Sequence, residues 1–147
     1  MAETFLFEVV TPAQMMISEQ MELVVLPGGD GNFGVLPGHA PMLSTLRPGT
    51  IEIRDKNLKV LDQIFVEEGF AEVTTERCTV LAEEAMRVNE ITRDDAEERL
   101  KRAHDSLLVA DTFGVRIGAE RELRAAEAMC DAIDQYEAGQ GKSHQGL

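Results

Sequence analysis

The sequence has no tryptophan, a single tyrosine and few aromatic residues in all, at 5% of 147 residues. Aliphatic side chains and methionine must therefore supply most of the hydrophobic core. Basic residues are also scarce, since 14 Lys and Arg face 27 Asp and Glu and the formal net charge is −13. So acidic a chain is poorly suited to phosphate backbones or anionic lipid surfaces, and we predict no nucleic-acid partner.

Cysteine is equally sparse, and the two that occur, Cys78 and Cys130, stand far apart. Because no CxxC pair or Cys/His cluster is present, the sequence predicts neither a disulfide nor a metal site. No apolar run approaches the ~20 residues that a transmembrane helix needs. The amino terminus also lacks the basic and apolar regions of a signal peptide. We therefore expect no direct insertion into a membrane.

Short alternating runs dominate the first 85 or so residues. The clearest lie at 4–10, 21–26, 51–54, 58–66, 70–73 and 79–82. In the first of these, Phe5, Phe7 and Val9 share one face. All five prolines and seven of the 12 glycines fall in this part and separate the runs. This pattern is typical of an all-β sandwich or barrel.

The period changes to that of a helix near Ile91. Thr92 and Asp95 have the spacing of a capping box, which marks a helix start. Two stripes with spacings of 4, 3, 4 and 3 follow: Ala96, Leu100, Ala103, Leu107 and Ala110, then Ala119, Leu123, Ala126, Cys130 and Ile133. The break at 111–114 predicts an antiparallel helical hairpin that ends at the glycines of 139–141. We divide the chain into a sandwich domain at 1–88, a hairpin at 89–138 and a flexible tail at 139–147.

No segment has a convincing pattern for catalysis or cofactor binding. Residues 29–34 match GxGxxG, but Pro37 follows where a nucleotide-binding fold would open a helix. We interpret 29–34 instead as a long turn that needs positive φ. His39 has neither a second histidine nor a recognisable nucleophile beside it. We therefore predict no catalytic residue, no metal ligand and no cofactor.

The segment at 26–49, which reads LPGGDGNFGVLPGHAPMLSTLRPG, resembles the signature of the epsilon subunit of bacterial F-type ATP synthases. Residues 7–12, 68–73 and 79–85 are similar to further parts of that family. The order of these segments and the terminal hairpin fit as well, so the resemblance spans about residues 4–135.

The resemblance implies a sandwich of about ten strands followed by two helices. It implies a non-catalytic subunit of the central stalk, or rotor, which couples proton flow through the membrane ring to ATP synthesis. The implied partners are the gamma subunit and the c-subunit ring, with the alpha and beta subunits reached through the hairpin. The implied place is peripheral, on the cytoplasmic face of the bacterial inner membrane. The positions that match the family's contacts with gamma and the ring are Gly31, Asn32, Phe33, Gly34, His39 and Met42.

In many members of that family the hairpin extends and inhibits ATP hydrolysis, and in some it binds ATP. The implied regulatory positions are Thr92, Asp95 and Arg99. Here Thr92 replaces the acid and Asp95 the arginine of the ATP-binding motif, which puts a carboxylate where phosphate needs a cation. Residues 130–140 contain acids but no Lys or Arg, whereas inhibiting relatives use basic residues there. Both departures argue against a regulatory role.

Two other functions stay open on the sequence. A free-standing β-sandwich adaptor could bind a partner helix through its hairpin. A small hydrolase using His39 is the weaker alternative, because the acid and the nucleophile that it requires are not identifiable.

Overall fold

The computed structural model describes residues 3–145, with side chains through residue 139. It divides into two compact units between Arg87 and Val88. The first consists of β-strands and the second of helices. The predicted fold class, a β-sandwich domain followed by a helical hairpin, is confirmed.

Within its described residues the amino-terminal unit has eight strands. They are β1 (Phe5–Val10), β2 (Met15–Met21), β3 (Leu23–Gly28), β4 (Gly31–Val35), β5 (Met42–Leu46), β6 (Gly49–Arg54), β7 (Val60–Val73) and β8 (Arg77–Arg87). Hydrogen bonds connect them in the order β2-β1-β8-β7-β5-β3-β4, while β6 pairs with β3 and β7. These pairs are antiparallel except β1 and β8, which run parallel.

Two long strands do not keep the same neighbours along their whole length. β7 pairs with β6 through its first half and with β5 through its second half. β8 pairs with β7 over residues 78–87 and has β1 as its other neighbour over residues 77–81 only. The described sandwich thus has eight strands where the family resemblance implies about ten, and dividing β7 and β8 at these points gives ten segments.

The change of partner in β7 requires glycine. Glu68, at the change, has a positive φ of 28°. A Cβ on the next residue, Gly69, would lie 2.1 Å from the carbonyl oxygen of Leu81 and 2.9 Å from Cα of Ala82. Only glycine therefore allows β7 and β8 to approach so closely here.

The long turn predicted at 29–34 is wrong in extent. The connection between β3 and β4 consists of Gly29 and Asp30 alone, and Gly28 pairs with Gly31 across it. The sequence interpretation was right that positive φ is needed, because Gly31 has φ +139°. Glycines and one polar residue mask the alternation of β4, so the sequence did not predict this strand.

The sandwich core is aliphatic, as the composition predicts. Phe5, Phe7 and Val9 of β1 are buried on one face. Residues from every strand join them in one cluster: Ile17, Val24, Leu26, Val35, Leu46, Ile51, Ile53, Ile64, Val66, Ala71, Val73, Cys78, Val80 and Ala82.

The carboxy-terminal unit contains a 3-10 turn (Val88–Glu90), helix α1 (Arg93–Leu108) and helix α2 (Phe113–Gln145). Thr92 is the N-cap of α1, and its hydroxyl accepts a hydrogen bond from the backbone N–H of Asp95 at 3.1 Å. The two predicted stripes form the seam between the helices. Its buried members are Ala96, Ala103, Ala119, Ala126 and Ile133.

Helix α2 is longer at both ends than its apolar stripe suggested. It begins at Phe113, where Thr112 accepts hydrogen bonds from the N–H groups of Val115 and Arg116. It continues through Gly139 to Gln145, so the predicted helix end at 139–141 is wrong. Each helical glycine costs only about 1 kcal/mol relative to alanine, and no proline follows to stop the helix. Of the tail predicted at 139–147, residues 146–147 lie outside the described residues.

Candidate functional site

The predicted contact residues fall into two groups at the two ends of β5. Gly31, Asn32, Phe33 and Gly34 belong to β4 and adjoin the turn at Gly29 and Asp30. The backbone N–H of Gly29 donates to the carbonyl of Thr45 at 2.9 Å, which places this turn beside the last residues of β5. His39 and Met42 lie at the other end of the strand.

Arg47 fastens the β3–β4 turn. Its guanidinium donates hydrogen bonds to the carbonyl of Gly28 and to Oδ1 of Asn32, the latter at 2.6 Å. The backbone N–H of Arg47 donates to the carbonyl of Pro27 at 3.0 Å. Phe33 covers Gly28, where a Cβ would meet its ring at 2.9 Å. The exposed Gly31 and Asn32 therefore sit on a braced turn.

His39 lies in a short loop with local hydrogen bonds only. Its ring Nδ1 is 2.8 Å from the carbonyl of Ala40, and its backbone N–H donates to Leu36 at 3.1 Å. Gly38, with φ +80°, donates to the carbonyl of Thr75 at 3.0 Å. These contacts hold the loop beside the β7–β8 connection and give the imidazole no acid or nucleophile.

Met42 lies on the core-facing side of β5, opposite the buried Val73, and is itself 36% exposed at the start of the strand. Its neighbour Leu43 lies on the outer face and is 70% exposed. Side chains alternate between the faces of a strand, so the two residues present different surfaces. The sequence prediction named Met42 and did not name Leu43.

An apolar row crosses the outer face of the sheet, and the sequence prediction missed it. Met15 lies opposite Val10, Val10 beside Leu81, and Leu81 opposite Phe70. Met15, Leu81 and Phe70 are 55%, 37% and 45% exposed. Directly paired residues point to the same face, so these four side chains, which we call the apolar row, are continuous over four strands. On β5 the exposed Thr45 lies opposite Phe70 and ends the row, while Leu43 lies on the same face opposite Glu72.

Polar residues border the apolar row. The next row on the same face contains Ser18, Glu8, Thr79 and Glu72. Thr79 donates a hydrogen bond to Glu8 at 3.1 Å, and Arg77 lies 3.6 Å from the same carboxylate. An apolar centre with a polar rim is the usual anatomy of a protein–protein interface.

The predicted regulatory residues of the hairpin are occupied by contacts within it. The Thr92 hydroxyl caps α1 through the N–H of Asp95. The Arg99 guanidinium lies 2.6 Å from Glu122 of α2. Arg93, which the sequence prediction did not single out, contacts Asp134 and Glu137 of α2 at 2.7 and 2.8 Å.

Comparison with known proteins decides the family. The family described as ATP synthase, Delta/Epsilon chain, beta-sandwich domain matches residues 4–88. The ATP synthase epsilon chain of Paramagnetospirillum magneticum is 47% identical over 133 residues, which cover 90% of this chain and 99% of that protein. The chain belongs to the ATP synthase epsilon family. The epsilon chain of Rhodospirillum rubrum is 46% identical over 132 residues, at 90% and 98% coverage.

Solved structures share the fold of this epsilon-family chain. One chain of the Euglena gracilis mitochondrial ATP synthase superposes with a TM-score of 0.78 at 24% identity, covering 90% of this chain and 83% of its own length. A chain of the Tetrahymena thermophila mitochondrial ATP synthase, from a structure of the central stalk and c-ring, gives 0.65 at 14% identity, with 88% and 96% coverage. At these identities the likeness shows the fold alone.

Membership of the epsilon family makes this chain a non-catalytic subunit of a multi-subunit ATP synthase. Among residues 3–139, whose side chains the structure describes, no cluster of three or more His, Cys, Asp and Glu side chains is placed to hold a metal ion. No helix in the same range has the length and apolar character to cross a bilayer.

The two thiols of the epsilon-family chain have different surroundings. Cys78 is fully buried in the sandwich, and burial raises its pKa to about 12. Cys130 is half-buried in the helical seam, with Sγ 3.6 Å from the carbonyl of Ala96. Of the two thiols, Cys78 is therefore shielded from water and Cys130 only partly so.

Proposed function

We propose that the chain is a rotor subunit of the central stalk, and that its sandwich binds the gamma subunit through the apolar row. The row carries this proposal, because it combines several exposed apolar side chains with a polar rim. Leu43 lies on the same face, two residues along β5 from Thr45 and toward the loop of His39, whose position matches the family's contacts. The chain would then sit peripherally on the cytoplasmic face of the bacterial inner membrane.

We further propose that the braced β3–β4 turn meets the c-subunit ring. Gly31 and Asn32 are exposed at this turn, and Arg47 limits its motion through two side-chain hydrogen bonds. A rigid contact suits a subunit that transmits torque, because a flexible loop would deform under load and would not pass the torque on. With both contacts, the sandwich would help to couple proton flow through the ring to ATP synthesis in the catalytic head.

The hairpin supports neither ATP binding nor a strong inhibitory role. The Arg99 guanidinium, a cation that a phosphate would require, is paired with Glu122 at 2.6 Å. Asp95 adds a carboxylate at the start of α1. To bind here, ATP would have to displace Glu122 from Arg99 and would be repelled by the carboxylate of Asp95. Alpha and beta subunits are accordingly partners only if the hairpin opens.

The test of the gamma contact is a binding measurement with purified gamma subunit and the full chain. Phe70→Asp places a charge in the row at its β7 end, next to Leu81, and should weaken binding at least about tenfold, as expected for a large apolar residue buried by an interface. Leu61→Asp is the matched control, since Leu61 is 57% exposed on the same strand but outside the row. Equal binding by the two variants would exclude the row as the contact. Failure of the unmodified chain to bind gamma would favour the free-standing adaptor.

The ring contact is tested separately with Arg47→Ala. This change removes the hydrogen bonds to Gly28 and Asn32 while leaving the apolar row intact. We expect weaker binding to isolated c-subunit ring with unchanged binding to gamma. Loss of gamma binding instead would show that Arg47 supports the sandwich generally rather than the turn.

A further inference from the structure

Ion pairs join the two helices of the hairpin at two levels. Near the start of α1, Nη2 of Arg93 lies 2.7 Å from Oδ1 of Asp134 and 2.8 Å from Oε2 of Glu137, while its Nε lies 3.4 Å from Oε1 of Glu137. Further along, Arg99 pairs with Glu122. One guanidinium thus binds two carboxylates on successive turns of α2, and it binds one of them in the two-pronged geometry that strengthens such pairs.

The seam beneath these pairs is rich in alanine. Ala96, Ala103, Ala119 and Ala126 are buried there and each contributes only a methyl group, while the larger Ile133 and Met129 of α2 are buried as well. Hydrophobic stabilisation scales with the apolar area removed from water, so the alanines contribute little each. Isolated exposed ion pairs also contribute little, but a network of several charges with two-pronged geometry is the exception to that rule. The network therefore adds to the contact at the end of the hairpin where it lies.

We propose that Arg93, Asp134 and Glu137 form an ionic latch that holds the carboxy-terminal part of α2 on the start of α1 and sets how often the hairpin opens. The acids of 130–140, which stand where inhibiting relatives carry basic residues, then have a role inside the hairpin. The regulatory consequence rests on the proposed function: a latched hairpin seldom extends toward the catalytic head. The latch itself is a property of the isolated chain and can be tested there.

The chain contains its own reporter of hairpin opening. The Sγ of Cys130 lies in the seam against the carbonyl of Ala96, so separation of the helices exposes it. Cys78 is buried in the sandwich and will not compete for a thiol reagent in the folded protein. The rate at which a disulfide reagent such as dithionitrobenzoate modifies Cys130 therefore measures opening.

Neutralising Arg93 has two opposite effects on the rate of Cys130 modification. The lost positive charge lowers the rate, whereas opening of the hairpin raises it. The positive charge of Arg93 lowers the pKa of Cys130, whereas Asp134, Glu97 and Asp131 raise it. Without Arg93 the thiolate fraction falls, and a closed hairpin would react more slowly. An increase in rate can then come only from exposure of the thiol.

The experiment compares the full chain, Arg93→Gln and the control Arg116→Gln. Arg116 pairs with Glu120 of its own helix at 3.2 Å and does not bridge the seam. We expect Arg93→Gln to raise the rate for Cys130 at least about threefold and the control to leave it unchanged, with equal helix content by circular dichroism. Loss of the modification signal in Cys130→Ser would show that the signal comes from Cys130. A rate for Arg93→Gln equal to or below that of the unmodified chain would overturn the latch.

Salt supplies a second test. At 1 M salt the Debye length falls to about 3 Å, so exposed ion pairs are screened. The rates are measured with an uncharged disulfide reagent such as dithiodipyridine and corrected for the thiolate fraction of Cys130, because salt also screens the acids around the thiol. We expect high salt to speed the corrected modification in the unmodified chain and to have little effect on Arg93→Gln. An unmodified chain insensitive to salt would count against the latch. Neither test involves gamma, so a failure of the latch and a failure of gamma binding are distinguishable.

Discussion

At the scale of single residues, two positions are fixed by what surrounds them rather than by their own chemistry. Gly69 has backbone atoms of β8 where a side chain would begin. Cys78 has a thiol that water does not reach. Sequence patterns register a glycine or a cysteine but not the distance to the neighbouring strand, so the importance of both residues appears only in the structure.

Gly69→Ala should destabilise the sandwich. Its Cβ would lie 2.1 Å from the carbonyl oxygen of Leu81, and since backbone cannot yield like a side-chain end, we expect a loss of about 2–3 kcal/mol in the free energy of unfolding. Urea denaturation measures this. Gly118→Ala is the control, because it meets nothing within 4 Å in helix α2 and should stabilise by up to about 1 kcal/mol. Equal effects of the two changes would contradict the packing argument.

The buried thiol of Cys78 should make stability fall at alkaline pH. Its pKa rises from 9.0 to about 12 on folding, so between these values the unfolded chain loses a proton that the folded chain keeps. Stability from the neutral thiol is complete below pH 9 and declines above it, by about 2 kcal/mol near pH 10.5. Unfolding measured at pH 8 and 10.5 should show a smaller decline for Cys78→Ala. Parallel declines would show that other groups govern the alkaline behaviour.

At the scale of elements, the sequence predicted the parts with regular periods and missed β2, β4 and β5. Alternation located β1, β6, β7 and β8, and spacings of 3 and 4 located both helices. Strands β2 and β5 are rich in polar residues or lack a clear alternation, and β4 was interpreted as turn because glycines occupy its first and fourth positions. The sequence prediction ended α2 too early, because it took the glycines of 139–141 as the end of the helix, whereas Gly139 lies within it. Short-range patterns report the periodicity of side chains, and glycine contributes none.

Motifs within one segment were more informative than surfaces built from several strands. The run at 26–49 supplied the proposed contact residues of β4 and of the His39 loop. The apolar row was not indicated, because Met15, Val10, Leu81 and Phe70 become neighbours only through the register of four strands. Each is an unremarkable apolar residue at the end or outer face of its own strand.

The N-cap of α1 provides a test at this scale. Thr92→Ala removes the acceptor for the N–H of Asp95, and an N-cap change of this kind costs about 1 kcal/mol. The loss should appear as faster amide hydrogen exchange in the first turn of α1, with the sandwich unaffected. Ser106→Ala, at an exposed position within the same helix, should leave exchange there unchanged. Unchanged exchange in Thr92→Ala would show that seam contacts alone hold the first turn.

At the scale of the whole molecule, the chain separates its assembly surfaces from its regulatory element. The apolar row and the β3–β4 turn both lie in the sandwich unit, which ends at Arg87. The ion pairs of Arg93 and Arg99 lie entirely in the helical unit. The net charge of −13 leaves both units unsuited to polyanions and points to protein partners.

This separation predicts the behaviour of a chain truncated after Glu90. It should bind gamma as the full chain does, because every proposed contact residue is retained. With the hairpin latched, the full and truncated chains should give ATP hydrolysis rates within about twofold of each other in a reconstituted catalytic head, since a closed hairpin adds no contact that slows turnover. The measurement is an ATPase assay at a saturating concentration of the chain.

Faster hydrolysis with the truncated chain would show that the hairpin opens often enough to inhibit. In that case Asp134 and Glu137 would have to release Arg93 on binding the head, and Arg93→Gln in the full chain should deepen the inhibition. Equal rates for all three would show that the hairpin does not slow hydrolysis even when Arg93→Gln favours its opening, and would leave coupling as the chain's contribution.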